Sequence, residues 1–180
     1  MDGVQASLCR DNNRGVERQA EGRGHLNWSE FKLEAPDLAA LGEERFESTG
    51  LVLVGTIRKD GWPRISPVEP LLFEGRLCLG MMWRSRKALD LMRDPKCTVN
   101  SIVSNKDGTE GDFKAFGFAV EENDLEVRSR FCDALFEKIG WKPEEPEFNL
   151  FSIDIHSAAF SRVEGDEMRH IVWRAKDGRP

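Results

Sequence analysis

Arg84, Ser85, Arg86 and Lys87 are the residues whose types and spacing most clearly indicate chemistry. They stand between a segment with strand character and a segment with helical apolar spacing, which places Ser85 at a helix N-cap. The free N–H groups of a first helical turn, together with the helix dipole, bind anions. Cations at this end oppose the dipole by about 0.3–1 kcal/mol each, and a bound phosphate would reverse that sign. The cluster therefore predicts an anion site, against the alternative of a solvated basic surface.

The charge of this region is the reverse of the charge of the whole chain. Residues 84–96 hold five bases against two acids, a local +3, in a chain with a formal net charge of -6. An acidic chain argues against a general nucleic-acid binder. The local reversal fits one bound phosphate better than a polyanion. The chain contains no tyrosine, which excludes a phenol as acid, base or nucleophile.

The remaining composition bounds the class of protein. A length of 180 residues fits one domain, predicted over residues 27–180, and residues 1–26 are predicted to be a disordered tail because they are polar and charge-balanced. No Cys-x-x-Cys pair occurs, the histidines are isolated, and no metal site is predicted. No apolar run reaches the roughly 18 residues of a membrane span, and residues 1–26 lack a signal-peptide pattern. We expect a cytoplasmic protein that binds neither membrane nor nucleic acid.

Short strands joined by hairpin turns dominate the pattern. Helices are predicted over 36–48, 85–93 and 124–139, and strands over 51–57, 64–73, 76–82, 97–103, 113–120, 148–155, 158–163 and 168–173. Asp60-Gly61 is a strong hairpin signal. Pro67 and Pro70 interrupt the second strand, which must therefore be an edge, bulged or bent. This order favours an antiparallel barrel with flanking helices over a doubly wound sheet, and no dinucleotide-binding or Gly-Lys-Ser/Thr loop occurs.

Five short motifs follow one another between residues 51 and 103. They are Val54-Gly55-Thr56-Ile57, Asp60-Gly61-x-Pro63, Ile65-Ser66-Pro67-Val68, Leu77-Cys78-Leu79-Gly80 and Ser85-Arg86-Lys87-Ala88. Each is weak alone, whereas their order and spacing are fairly specific. Together they resemble the pyridoxamine 5'-phosphate oxidase-like, FMN-binding split-barrel superfamily. The resemblance implies a mainly β fold, a six-stranded antiparallel split β-barrel with flanking helices. It also implies a homodimer whose two cofactor sites are shared between subunits.

The resemblance also implies roles for particular residues. By this resemblance, Ser85, Arg86 and Lys87 are expected to bind the flavin phosphate. Ser66 is expected to lie near the ribityl phosphate. The backbone at Val68 and Glu69 falls where the superfamily contacts the isoalloxazine ring. Met81 and Met82 match the strand beside the ring and phosphate. From the fifth strand, Asp112 or Lys114 is expected to reach the cofactor.

The function implied is an FMN-dependent oxidoreductase with an unknown small-molecule substrate, in which the flavin carries the electrons and no catalytic side chain is assigned. Met168-Arg169-His170 shares residue types with the substrate-phosphate motif of true pyridoxamine phosphate oxidases, but its surroundings do not match, so oxidation of pyridoxamine phosphate is not expected. Three alternatives stay open: a deazaflavin coenzyme in the same clamp, a haem-binding or haem-degrading barrel using His156 or His170, and a non-catalytic flavin carrier. Trp173 either lies over the partner's cofactor or packs within the last strand.

Overall fold

The protein is described by a computed structural model that covers residues 26–144 and 146–176. The predicted tail of residues 1–26 lies outside the described residues except for Leu26, whose backbone pairs with Ile155. The helices are α1 (Trp28–Glu34), α2 (Pro36–Thr49), α3 (Arg86–Arg93) and α4 (Leu125–Ile139). The strands are β1 (Val52–Ile57), β2 (Pro63–Val68), β3 (Pro70–Phe73), β4 (Arg76–Met82), β5 (Lys96–Ser101), β6 (Asp112–Glu121), β7 (Phe148–Glu164) and β8 (Glu167–Arg174).

The strands form one antiparallel sheet that closes on itself. Its order is β2-β1-β5-β6-β7-β4-β3, and β8 pairs with the second half of β7. β2 and β3 lie at opposite ends of this order, yet Glu69 is the one residue between them. Because consecutive Cα atoms are about 3.8 Å apart, the two ends of the sheet must meet, and the sheet must roll into a barrel. The predicted split-barrel architecture is confirmed.

The interrupted second strand is where this closure occurs. Residues 64–73, predicted as one bent strand, are two strands on opposite sheet edges. Pro67 and Pro70 flank the joint, and a proline cannot donate to a ladder on either side of it. The prolines that weakened the strand prediction therefore mark the point at which the chain changes edges.

β7 is a single strand where the sequence indicated two. The register against β6 shifts between Phe116 and Gly117, so that Ser157 faces Phe116 and Ile155 faces Gly117, with His156 as the extra residue. This is a β-bulge, which bends a strand without ending it. A Cβ at Gly117 would lie 2.1 Å from the Asp154 carbonyl oxygen, so the close approach at the bulge requires glycine.

Two apolar clusters hold the fold together. The larger one fills the barrel and includes Val52, Val54, Leu79 and Phe113, against which α1 and α2 pack through Trp28 and other aromatic residues. The smaller one lies between α4 and the β3–β4–β7 side of the sheet and comprises Leu71, Cys78, Phe131, Cys132, Leu135, Phe148 and Leu150. Cys78, Cys97 and Cys132 are buried thiols. Burial raises the pKa of Cys78 and of Cys97 to about 12.

Helix α3 is fixed to the barrel by a buried carboxylate. Asp90 accepts hydrogen bonds from Thr56 Oγ1 at 3.1 Å, Arg64 Nε at 2.7 Å and Arg93 at 3.2 Å. Ala88 and Leu91 of the same helix face the core. The N-terminus of α3 is therefore held in a fixed position relative to β1 and β2. Within the described ranges, no helix is long and apolar enough to cross a membrane.

Candidate cofactor site

A large open cavity lies beside the end of β4 and the start of α3. Its volume is about 880 Å³, within the range of about 300–1,000 Å³ that is typical of small-molecule sites. One wall comes from the joint between β2 and β3, at Val68 and Glu69. A second wall comes from Met81, Met82 and Trp83, where β4 ends. The third wall comes from α4, the segment after it and the first residue of β7, and includes Phe131, Leu135, Trp141, Lys142, Pro143, Glu144, Glu147 and Phe148.

A strained turn leads from β4 into α3. Arg84 has a φ of 49°, in the left-handed region that a side chain with a Cβ adopts at a cost of about 1–2 kcal/mol. The amide of Ser85 donates to the carbonyl of Met82 at 3.0 Å and closes the turn. The amide of Arg84 donates to Oδ1 of Asn149 at 2.8 Å. Asn149 is 1% exposed and donates from Nδ2 to Glu121, so a buried amide holds the turn.

Ser85 occupies the N-cap position of α3, as predicted, but its side chain caps nothing. No side-chain capping bond forms, and the hydroxyl is buried with no hydrogen-bond partner in the described structure. A buried polar atom without a partner costs about 1–3 kcal/mol. The first turn of α3 contains no acidic residue. These features leave donors at the start of the helix that an anion would satisfy.

The basic residues around this turn are not neutralised by the protein. Within residues 26–144 and 146–176, Arg84, Arg86 and Lys87 form no ion pair, whereas Arg64 and Arg93 are paired with Asp90. Lys87 is half-buried and lines the cavity, while Arg86 is exposed. The positive charge predicted at the helix start is therefore available to a ligand.

Five of the eight residues expected to bind the cofactor line this one cavity: Val68, Glu69, Met81, Met82 and Lys87. Ser85, the N-cap of α3, and Arg86, its first residue, do not line the cavity but directly precede Lys87, which does. Ser66 is not part of the wall; it lies further along β2, where it pairs with Val54 of β1. Asp112 and Lys114 are also outside it, on β6, where they pair with each other.

The segment after α4 is a part of the site that the sequence did not indicate. Trp141 is 59% exposed and lines the cavity together with Glu144 and Glu147. A helix end followed by prolines predicts only a connection. The segment reaches the cavity because β7 begins at Phe148, which pairs with Met82. A contact of this kind depends on strand pairing between distant parts of the chain, which leaves no local signal.

The histidines considered as iron ligands lie elsewhere. His156 is the bulge residue and lines a second, smaller cavity of about 380 Å³ on the outer face of the sheet. Nδ1 of His170 is 2.8 Å from Oγ of Ser161. Trp173 packs on Phe31, with ring centroids 4.9 Å apart, and donates to Glu34 at 3.2 Å, which supports the packing interpretation of this residue. Among the described residues, no group of three or more potential ligands could hold a metal ion.

Comparison with known proteins supports the fold. No protein-family model and no curated protein matches the chain. A general stress protein 26-related protein of the pyridoxinephosphate oxidase family from Clostridium acetobutylicum matches 77% of this chain and 96% of its own, at 18% identity and a TM-score of 0.59. A pyridoxamine 5'-phosphate oxidase-related, FMN-binding protein from Nostoc punctiforme matches 78% of this chain and 89% of its own, at 14% identity and a TM-score of 0.60.

A haem-binding protein from Mycobacterium smegmatis has the same fold. It matches 76% of this chain and 58% of its own, at 17% identity and a TM-score of 0.58. The resemblance to the pyridoxamine 5'-phosphate oxidase-like split barrel is therefore confirmed as a likeness of fold. The neighbours include both FMN-binding and haem-binding proteins, so the fold does not decide between these cofactors.

Proposed function

We propose that this protein is an FMN-dependent oxidoreductase that acts on a small molecule. The observation that carries the proposal is the start of α3. There the unpaired Lys87 lines an open cavity of about 880 Å³ with mainly apolar walls, and the Ser85 hydroxyl, two residues before it at the N-cap, has no hydrogen-bond partner in the described structure. A phosphate needs such donors, and an isoalloxazine ring needs such walls.

The residues present fit a flavin mononucleotide. The amides of the first turn of α3, Ser85, Arg86 and Lys87 would hold the phosphate, with Arg86 able to form paired hydrogen bonds to it. Met81 is buried and Met82 is exposed, and both line the cavity, where they would cover the ring and exclude water. The backbone of Glu69 lies outside both the β1–β2 and the β3–β4 ladders and adjoins the same cavity.

The protein side of the chemistry is binding and orientation. FMN supplies hydride or electron transfer when bound, and the chain contributes the anchor, the packing of the ring and the exclusion of water. The titratable residues among the cavity walls are Glu69, Lys87, Lys142, Glu144 and Glu147. We assign none of them a proton-transfer role.

We further propose that the protein is a homodimer with the cofactor between the subunits. The outer side of the sheet supports this, because directly opposite residues on β2, β1, β5, β6, β7 and β8 share one face. On this face Ile65 is 70% exposed and Val172 is 63% exposed, and Phe116 lies between them. Exposed apolar side chains grouped on one sheet face, here among polar neighbours such as Thr98, Ser157 and Arg174, are typical of a protein interface.

The absorption spectrum of the purified protein, followed by steady-state oxidation of NADH with a dye acceptor, tests the proposal. We expect a flavin spectrum, retained or restored by added FMN, and turnover that depends on it. A deazaflavin spectrum would show that the cofactor is a deazaflavin and not FMN, but it would leave the proposed binding site unchanged. A Soret band on addition of haem that is lost in His156→Ala or His170→Ala would contradict the proposal, and a flavin spectrum without turnover would indicate a carrier.

A further inference from the structure

We propose that the substrate of this site is an aromatic cation. The inference rests on the proposed function, which assigns the start of α3 to the cofactor phosphate. It is carried by a juxtaposition within the same cavity: three carboxylates, from Glu69, Glu144 and Glu147, line it together with the exposed indoles of Trp83 and Trp141.

The three carboxylates are available to a ligand. Glu69 joins β2 to β3, and Glu144 and Glu147 lie between α4 and β7. In the part of the chain that the structure describes, none of the three side chains forms a hydrogen bond or an ion pair. Carboxylates accept hydrogen bonds and attract positive charge, so they favour ligands that carry donors or a cation.

The two cations of the cavity wall do not cancel this charge. Nζ of Lys142 is 2.8 Å from Oδ1 of Asp133, and the hydrogen bond to that carboxylate raises the pKa of Lys142. The ammonium of Lys142 also lies 6.0 Å from the centroid of the Phe136 ring. Lys87, in the first turn of α3, is the partner of the proposed phosphate. With both lysines engaged, the remaining charge of the cavity wall is negative.

The two indoles select the same kind of ligand. Trp83 is 53% exposed and Trp141 is 59% exposed, and both line the cavity. The face of an indole attracts a cation placed over it more strongly than any other aromatic side chain does. Trp83 belongs to the turn that the hydrogen bond between Arg84 and Asn149 holds. Flat rings stack on these faces, and a flat ring that also carries a positive charge gains from the carboxylates as well.

Three probes that share one aromatic ring but differ in charge test this inference. Isothermal titration calorimetry of the FMN-loaded protein compares 1-methylnicotinamide, a cation, with neutral nicotinamide and anionic nicotinate. We expect the cation to bind about five- to twentyfold more tightly than the neutral probe, as a few exposed charge contacts and one cation–π contact allow. The nicotinate anion should bind most weakly. The preference should shrink at about 1 M salt, where the Debye length is about 3 Å.

Variants in which glutamine replaces glutamate test which carboxylates cause the preference for the cation. Glu144→Gln combined with Glu147→Gln should reduce the cation's affinity severalfold and change the affinity for nicotinamide far less. The matched control is Glu47→Gln combined with Glu137→Gln, two exposed glutamates on α2 and α4 that lie outside the cavity wall. Nicotinate binding as tightly as 1-methylnicotinamide, an unchanged preference in the first double variant, or no binding of any probe would overturn the inference.

A separate measurement distinguishes this inference from the proposed function. The affinity for FMN is measured on the same preparations by flavin fluorescence. If FMN does not bind, the three probes are titrated into the cofactor-free protein. A cation preference that disappears in the Glu144→Gln, Glu147→Gln variant then supports the inference although the proposed function fails. Normal FMN binding without a cation preference overturns the inference and leaves the proposed function standing.

Discussion

Arg84, like Glu74, has a backbone conformation that residues with a Cβ rarely adopt. Its φ of 49° is typical of glycine or asparagine. The buried side chain of Asn149 offsets this strain by accepting a hydrogen bond from the Arg84 amide. Strain that surroundings impose in this way is common where a fold positions a binding group. Here it sets the direction in which α3 begins, and with it the position of Ser85 and Lys87.

Two substitutions at Arg84 separate its backbone conformation from its charge. Both Arg84→Gly and Arg84→Ala remove the guanidinium, but glycine adopts a positive φ freely. We expect the glycine variant to be more stable than the alanine variant by about 1 kcal/mol, measured by urea unfolding. Both variants should lose a similar amount of affinity for FMN if the guanidinium contributes. Equal stability of the two variants would show that the turn is not strained.

Asn149 supports the turn from the opposite side. Replacing it with alanine leaves the Arg84 amide and the Glu121 carboxylate without this partner. We expect Asn149→Ala to lower the free energy of unfolding by about 1–3 kcal/mol and to weaken FMN binding. Adding Arg84→Gly should restore part of the stability, because glycine holds the turn without help. A double variant no more stable than Asn149→Ala alone would contradict this coupling.

At the scale of elements, the carboxylate of Asp90 holds α3 against β1 and β2. Burial raises the pKa of Asp90, but the hydrogen bonds from Arg64, Arg93 and Thr56 outweigh it, and the pKa lies below its usual value. The ionised form is therefore bound more favourably in the folded protein than in the unfolded chain. Its contribution is present above the unfolded pKa of about 3.9 and is lost as the pH falls through the folded value.

Asp90→Asn tests this attachment through its pH dependence. At pH 7 we expect the variant to be about 2 kcal/mol less stable than the wild type, because hydrogen bonds to a charged acceptor are lost. The difference should stay constant down to about pH 5 and shrink below it. Glu47→Gln, on an exposed face of α2, is the control for removal of one charge. A difference that is as large at pH 3 as at pH 7 would contradict the assignment.

Local signals were sufficient for most elements. Pro36 and Gly50 bound α2, and Gly140 ends α4, close to the limits predicted for the helices over 36–48 and 124–139. Helix α1 was missed, although Asn27 and Glu30 form a capping box that sequence reading can detect. The continuity of β7 could not be predicted, since serine and histidine at a bulge read like a break between strands.

The candidate site was predictable only where one short segment builds it. The cluster at residues 84–87 gave the start of α3 and its charge, because capping chemistry and basic residues are visible locally. Asn149 and Trp141 reach the site through pairing of β4 with β7, across more than fifty residues of sequence. Neither the type nor the spacing of these residues predicts such a contact. The barrel itself was predicted, but the point of its closure was not, because that depends on Glu69 linking opposite sheet edges.

At the scale of the whole molecule, the exposed sheet face predicts self-association. We expect light scattering after size-exclusion chromatography to give the mass of two chains. Ile65→Glu combined with Phe116→Glu should give the mass of one, because it replaces two exposed apolar side chains of that face with charges. Leu33→Glu, on an exposed position of α1, should remain a dimer. A wild-type mass of one chain at all concentrations would contradict the proposed dimer.

The measurement that tests the central claim most directly is an FMN titration by flavin fluorescence. The wild type is compared with the double variant Arg86→Ala, Lys87→Ala and with a control double variant, Lys59→Ala, Lys106→Ala. The control removes two exposed lysines from turns that do not line the cavity. We predict that the first double variant loses affinity by at least about tenfold, as the loss of two charged hydrogen bonds implies, while the control does not. Equal affinity of all three proteins, or no FMN binding by the wild type, would contradict the assignment of the α3 start as the phosphate anchor.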